Sequence, residues 1–311
     1  MQIGLMMRSG NNGGNGAINA HRWETLKEMA LLAEDIGVDT LGAPDHLLFR
    51  NAPPTVNLPE GETRGTWEVF TLLTAIAAIT KKVTLLPLVA CTSFRNPALL
   101  AKIADSLDEV SNGRLLLGLG AGWHEPEYKA YGFPFDRRVS RFEEALQIIA
   151  PLMKGESVTF KGKFYEVDNV VITPRGPRPD GPPIWIGARK PRMLGLVAKY
   201  ASAYNTDMLL NLDDTKAAED LFAIVDDACR KAGRDPSTLL RTSGCSLGME
   251  GADDVPAGPP AIIMKGSTDE IVDKLAAYSE IGIKHFTFWM HPWTTKSIEQ
   301  LAPIVEAAHK L

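Results

Sequence analysis

Short apolar runs alternate with longer segments of helical period along the whole chain, and a chain patterned this way has few folds open to it. Ile3–Met7, Val38–Gly42, Val83–Ala90, Arg114–Leu119, Ile184–Ile186, Tyr204–Leu210, Leu239–Leu247 and His285–Met290 read as strands. Most are apolar on both faces, as a parallel sheet covered by helices requires, since neither face meets water. The intervening helices are Trp23–Ile36, Trp67–Thr80, Pro97–Val110, Arg141–Met153, Arg192–Ala201, Asp214–Ala232, Asp269–Ile281 and Ser297–His309. The first sets Leu26, Met29, Ala30 and Ala33 at helical spacing and stops at Gly37. Ser267 and Glu270 form a capping box ahead of the seventh.

Eight strands, each followed by a helix, predict an α/β fold, a (β/α)₈ TIM barrel spanning 1–311 as one domain. An open doubly wound sheet is the structural alternative. One excursion interrupts the alternation after the fourth βα unit. Ser157–Phe160 and Phe164–Val167 flank Lys161-Gly162-Lys163 as a hairpin, and the proline-rich run Thr173–Pro183 follows, which cannot be helix.

Composition removes several classes of function. A net charge of −5, with no Lys/Arg run, argues against nucleic acid as the main partner. Three widely spaced cysteines (Cys91, Cys229, Cys245) fit neither a disulfide framework nor a zinc site and point to a reducing compartment. No apolar stretch reaches membrane-spanning length and MQIGLMMRSG is not a signal peptide, so the expected location is cytoplasmic and no membrane is a partner.

Active sites of a barrel lie at the C-terminal ends of its strands. That selects the Gly/Asn-rich loop Ser9–Asn19, AlaProAspHis at 43–46, ThrSerPheArgAsn at 92–96, AlaGlyTrpHisGluProGlu at 121–127 and GlyAlaArgLysProArg at 187–192. Asp45-His46 directly follows strand two. A histidine there can shuttle a proton near neutral pH, and a neighbouring carboxylate can orient it; a histidine that caps the next helix is the structural alternative. Strand three ends in a proline and a polar run, a distorted end whose backbone can press on a planar ring, or an ordinary strand end with Asn96-Pro97 starting a helix.

Gly118–Trp123 has the spacing GxGxG and fails the dinucleotide fingerprint. Its glycines are read instead as letting backbone approach a ligand, with Trp123 and His124 as pocket wall. HisGluProGluTyr lacks the second histidine of a zincin helix, so no metal is expected. Gly187–Arg192 leads into a helix whose free amides, with Arg189, Lys190 and Arg192, suit a phosphate; a solvated charge cluster is the alternative. Among the other histidines, His291 follows strand eight and can reach the mouth, whereas His21, His285 and His309 read as surface or structural. With no GxSxG elbow and no P-loop, acyl and phosphoryl transfer lack support.

Several of these segments, in order and at matching spacing, resemble the luciferase-like superfamily: AspThrLeuGlyAlaProAspHis, SerPheArgAsnProAlaLeuLeuAlaLys, SerAsnGlyArgLeuLeuLeuGlyLeuGlyAlaGlyTrpHisGluProGluTyr, ArgPheGluGluAla and ProProIleTrpIleGlyAla. The resemblance implies a flavin- or F420-dependent oxidoreductase or monooxygenase acting on a small organic substrate, and a homodimer. It is greatest to the F420-dependent branch, with FMN as the alternative cofactor and a non-catalytic binding protein as a further one. It implies that His46, with Asp45, handles a proton while hydride passes to or from the cofactor. The ring would lie against Leu88, Val89, Ala90 and Cys91, with a cis peptide at Leu88-Val89, beside Ala121, Gly122, Trp123 and His124. The phosphate chain would reach Gly187, Ala188, Arg189 and Arg192. The Ser9–Asn19 loop would cover the substrate, and Arg50, Arg64, Arg189 and Lys190 could meet an acidic tail. Three positions depart from the family. Trp123 stands where the glucose-6-phosphate dehydrogenases of this branch carry glutamate, TyrAlaSerAlaTyrAsn replaces TyrAlaAspGlyTrpAsn, and Ala188 replaces a common glycine.

Overall fold

The computed structural model describes residues 1–10, 21–51, 58, 60–208, 212, 214–250 and 263–311. Its barrel strands are β1 (Gln2–Met6), β2 (Thr40–Ala43), β3 (Thr84–Pro87, resuming at Ala90–Cys91), β4 (Leu117–Gly120), β5 (Ile184–Gly187), β6 (Ala203–Met208), β7 (Leu240–Gly248) and β8 (Ile283–His291). All pair in parallel, in the order β3-β2-β1-β8-β7-β6-β5-β4. The ring closes through Ala90–Cys91 against Leu119–Gly120 and through the bridge Leu85–Leu115. The open sheet is thereby excluded.

Helices α1 (Trp23–Asp35), α2 (Val69–Ile79), α3 (Pro97–Ser111), α4 (Glu125–Tyr131), α5 (Arg138–Met153), α6 (Pro191–Tyr200), α7 (Lys216–Lys231), α8 (Thr268–Glu280) and α9 (Thr295–Ala308) connect and enclose the strands. The capping box of α8 forms as the sequence predicts, with both Ser267 and Glu270 bonded. The short α4 is an addition: its Pro126 lies in the first turn, where a missing N–H costs nothing. A small antiparallel pair, Phe49–Arg50 with Thr63–Arg64, is a second addition and stands above β2.

Alternation along the strands produces two cores. Leu5, Leu41, Leu85, Leu119, Ile186 and Phe288 face the helices in one continuous cluster, while Leu86, Trp185 and Ala203 form a smaller cluster inside the barrel. His285 lies within that interior, fully buried and edge-on to Trp185 at 5.0 Å. Its Nε2 is 2.8 Å from Thr40 Oγ1, and a Cβ on Gly4 would fall 2.8 Å from its ring. Burial lowers the His285 pKa to about 4, and it is therefore a structural histidine.

The folded state refuses a proton that the unfolded chain accepts below about pH 6.5. Stability is untouched above that pH and is lost as pH falls from about 6.5 to 4, by about 3 kcal/mol for this one group. Urea midpoints at pH 7 and 4.5 should show that loss, and His285→Gln should flatten it; equal acid sensitivity in the two proteins would exclude His285 as the cause.

The excursion after the fourth βα unit is present. Val158–Lys161 pairs antiparallel with Glu166–Val170, and Glu144 accepts the amides of Lys163, Phe164 and Tyr165 in the turn. The proline-rich run adopts neither helix nor strand. Its arginines supply the donors that its prolines lack. Arg178 forks onto Asp108 at 2.9 and 2.5 Å, and Arg175 donates to the carbonyls of Leu152 and Met153.

Candidate active site

The strand ends converge on the barrel mouth as the fold requires, but the contacts among them differ from those expected of neighbours in sequence. Asp45 and His46 follow β2, and successive residues of an extended chain point in opposite directions. Asp45 turns inward and is almost fully buried. Its Oδ2 accepts the Cys91 amide at 2.9 Å, and Arg95 grips both carboxylate oxygens at 2.7 and 3.0 Å. Arg95 also reaches Glu68 and lies over the Phe70 ring at 4.9 Å. Asp45 thus ties the end of β2 to β3, and His46 is held by another residue.

That residue is Glu127, on α4. Its Oε1 is 3.0 Å from His46 Nδ1, and its Oε2 accepts the Leu47 amide at 2.9 Å. Glu127 is 1% exposed, while the His46 side chain retains 18%. A buried carboxylate that accepts from Nδ1 fixes the proton on that nitrogen, leaving Nε2 as the ring's free base position. Among the described residues Nε2 has no hydrogen-bond partner. Thr66 donates to the His46 carbonyl and holds its backbone.

Around this pair stands an aromatic wall. The His46 ring lies 4.3 Å from Phe49 and 5.4 Å from Trp123, and Phe49 lies 5.5 Å from His124. Trp123 keeps 45% of its surface exposed, the wettest aromatic of the group. His124 Nε2 accepts the Arg50 amide at 3.2 Å, which requires that nitrogen to be unprotonated. Burial pulls its pKa below the ordinary histidine value in the same sense, with Glu127 acting against the shift.

Strand β3 breaks at the mouth. Leu88-Val89 is a cis peptide, the conformation the family resemblance implies, and both residues are partly exposed between fully buried Leu86 and Ala90. Two glycines of Gly118–Trp123 make room for β3. A Cβ on Gly118 would sit 2.1 Å from the Pro87 carbonyl, and one on Gly120 2.5 Å from Val89. Both admit the neighbouring strand.

Gly122 (φ +70°) leaves room for Tyr128 Oη, 2.0 Å from where its Cβ would be, and for Cys91 Sγ at 2.7 Å. Tyr128 donates to the Ala121 carbonyl at 2.9 Å and lies 2.9 Å from Cys91 Sγ, and Arg138 donates to the Gly122 carbonyl. Burial pushes the Cys91 thiol up to about 12, so it is an inert neutral thiol. Gly122→Ala combines left-handed strain with overpacking and should cost about 2–4 kcal/mol. Thermal unfolding measures it, and a loss under 1 kcal/mol would show that the turn relaxes freely.

Across the mouth, Gly187 ends β5 and α6 begins at Pro191 with no side-chain cap from Lys190. Ala188 is buried, and its carbonyl accepts Tyr204 Oη at 2.8 Å. Arg189 and Lys190 are exposed, and Arg192 pairs with Glu143 of α5 at 2.6 Å. Among the described residues no group of three or more His, Cys, Asp or Glu side chains is placed to hold a metal ion, and no helix is long and apolar enough to cross a membrane. The Ser9–Asn19 loop lies outside the described residues apart from Ser9 and Gly10.

The segments 92–96 and 121–127 contain Arg95 and Glu127 without the sequence assigning either a role, and Tyr128 and Phe49 lie outside the selected segments. Glu127 stood in view within HisGluProGluTyr, where it invited a test for metal binding; nothing in the spacing links it to a histidine 81 positions earlier.

Residues 1–247 match the model of the luciferase-like monooxygenases. The chain belongs to that family. Among its relatives is a 5,10-methylenetetrahydromethanopterin reductase of Archaeoglobus fulgidus, 28% identical over 74% of this chain and 61% of that protein. Another is the pyrimidine monooxygenase RutA of Variovorax paradoxus, 32% identical over 77% of this chain and 65% of its own. The match thus covers less than two thirds of each of these luciferase-like relatives. An F420-dependent secondary alcohol dehydrogenase, solved with an F420-acetone adduct, superposes with a TM-score of 0.80 at 19% identity, covering 99% and 98% of the two chains. At that identity the likeness speaks for the barrel.

Proposed function

We propose that this luciferase-like protein is an oxidoreductase that moves hydride between coenzyme F420 and a small organic substrate, with His46 handling the accompanying proton. The observation that carries the reading is the His46–Glu127 pair at the mouth, which leaves a basic nitrogen beside a partly exposed tryptophan. The similarity to the methanopterin reductase and to the F420-dependent alcohol dehydrogenase supports the deazaflavin. The similarity to RutA supports a second reading, an FMN-dependent monooxygenase in the same pocket.

The residues present fit a planar ring with a phosphate chain. Leu88 and Val89 are partly exposed at the break in β3, and Gly120 on β4 and Gly187 on the next strand, β5, raise no side chain beside Val89. The uncapped start of α6 offers the Arg192 and Met193 amides to an anion, with Arg189 and Lys190 exposed nearby. Leu88, Val89, Ala90 and Cys91 would thus support the ring, and Gly187, Ala188, Arg189 and Arg192 the phosphate; Arg192 would then exchange Glu143 for it. When bound, the cofactor supplies the hydride chemistry.

The chain's own work is positioning and proton handling. Glu127 holds the His46 ring in one orientation through Nδ1, so Nε2 can take up or release a proton with little reorganisation. Trp123 and Phe49 pack against the His46 ring. Glu127→Gln keeps the size of the side chain and removes its charge, and it should lower turnover about 10–100-fold while leaving cofactor affinity unchanged. Titration of the apoprotein with F420 and with FMN, each oxidised and reduced and read by fluorescence, tests the reading itself. Preference for F420 supports the hydride transferase, preference for reduced FMN moves the assignment to the monooxygenase, and binding of neither overturns both.

A further inference from the structure

Helix α4 grips the segment that follows β2 at two points, and only one of them concerns the base. Glu127, in the first turn of the helix, holds His46 Nδ1 and the Leu47 amide. His124 occupies the N-cap position without capping the helix. Its ring is committed elsewhere, with Nε2 taking the Arg50 amide at 3.2 Å. The two acceptors stand three residues apart on α4, and the two amides they hold, of Leu47 and Arg50, stand three residues apart on the facing segment.

Arg50 lies where an arm of the chain leaves the barrel. Phe49–Arg50 pairs with Thr63–Arg64, Arg50 Nε reaches Thr63 Oγ1 at 3.1 Å, and the backbone turns left-handed at Asn51 (φ +48°). Alternation sends the Arg50 side chain to solvent and the Phe49 ring to the mouth, 4.3 Å from His46, 6.2 Å from Trp123 and 5.5 Å from His124. The His124 ring also lies 5.1 Å from Trp123. One buried imidazole thus packs on both aromatic rings that flank His46 and bonds the backbone that carries one of them. The holds from Glu127 and from Thr66 lie at the root of the arm, at Leu47 and His46, whereas that from His124 lies beyond Phe49.

We propose that His124 is a positioning residue for substrate recognition. By accepting the Arg50 amide it fixes the Phe49 ring beside Trp123, and the two rings receive the apolar flank of a small alcohol or carbonyl compound whose oxygen meets His46 Nε2. This deepens the oxidoreductase reading and rests on it for the chemistry of the substrate; the placing of the arm does not depend on it. Glu127 and His124 then divide their work. The first orients the base, so its loss falls on turnover, and the second sets the fit, so its loss falls on affinity.

Two variants separate the acceptor from the ring. His124→Phe keeps an aromatic ring and removes the acceptor, whereas His124→Gln keeps an acceptor close to the place of Nε2 and removes the ring. Hydrogen exchange of the full chain without cofactor, followed by mass spectrometry, reads the arm directly. Peptides holding Phe49–Arg50 and Thr63–Arg64 should exchange at least about tenfold faster in His124→Phe, with those of the barrel strands unchanged, and His124→Gln should recover most of the protection. Benzyl alcohol is the ligand probe, since it brings a hydroxyl for Nε2 and a ring for the wall. Its affinity, read by Trp fluorescence, should fall about 5–20-fold in His124→Phe and return in part in His124→Gln. In the unmodified protein, nitrogen NMR of the ring should find the His124 proton on Nδ1; a proton on Nε2 overturns the proposal without any variant. Unchanged exchange of the arm in a folded His124→Phe protein overturns it too, as does a His124→Gln protein no better than His124→Phe. Failure of the unmodified protein to bind benzyl alcohol overturns the apolar flank. The F420 and FMN titrations separate these failures from that of the parent reading. Cofactor binding with an arm indifferent to His124 leaves the oxidoreductase standing, and an arm that depends on His124 without cofactor binding leaves only the positioning.

Discussion

Replacing His46 by alanine should lower turnover by about 10²–10⁴-fold while the cofactor binds as before. The reasoning is geometric. Nε2 is the one titratable position on the ring left without a protein partner among the described residues, and Glu127 fixes which nitrogen that is. The loss should fall on kcat rather than KM, because a proton in flight is a transition-state interaction. Small imidazoles added to the variant should restore part of the rate, which a purely structural role for His46 would not allow. Normal turnover by a cofactor-loaded His46→Ala protein would remove the proton role altogether.

Asp45→Ala should behave in the opposite way, with a loss in stability before any loss in chemistry. It removes two hydrogen bonds from Arg95, whose side chain is only 11% exposed, and strands the Cys91 amide. Breaking a buried pair by deleting one partner costs about 3–5 kcal/mol, more than the pair itself contributes, because the remaining charge stays desolvated. Glu68 keeps one contact with Arg95, so the lower half of that range applies. Denaturant unfolding measures the loss. Asp45→Ala with wild-type stability and impaired turnover would return Asp45 to the chemistry. The two adjacent residues thus separate by experiment: one variant folds and fails to turn over, the other unfolds early.

The barrel was legible because its signals are local. Parallel strands buried on both faces leave apolar runs such as Ile184–Ile186, and a capping box needs only residues 267 and 270. Elements whose bounds depend on neighbours were less so. Val83–Ala90 reads as one strand, and only the approach of β4 through Gly118 and Gly120 shows where it breaks. The site divided along the same line. His46, Trp123 and the β3 edge could be found from their places after strands. Asp45 was paired with His46 because they are adjacent, whereas the alternation of an extended chain sends them apart. Glu127 was passed over because the turn that brings it to His46 is specified by Gly122, Tyr128 and Cys91 together. Likewise Arg8 and His291 are 283 residues apart in sequence, and only the closure of β8 on β1 makes them neighbours.

The parts of the mouth are unevenly spread around the ring. His46, Asp45, Arg95 and Glu127 follow β2, β3 and β4, and the Arg8–His291 contact joins the ends of β1 and β8, so β6 and β7 carry none of them. Divergence within such a barrel can therefore be modular. Substitutions on the arc of β6 and β7 can accumulate without touching the His46–Glu127 pair.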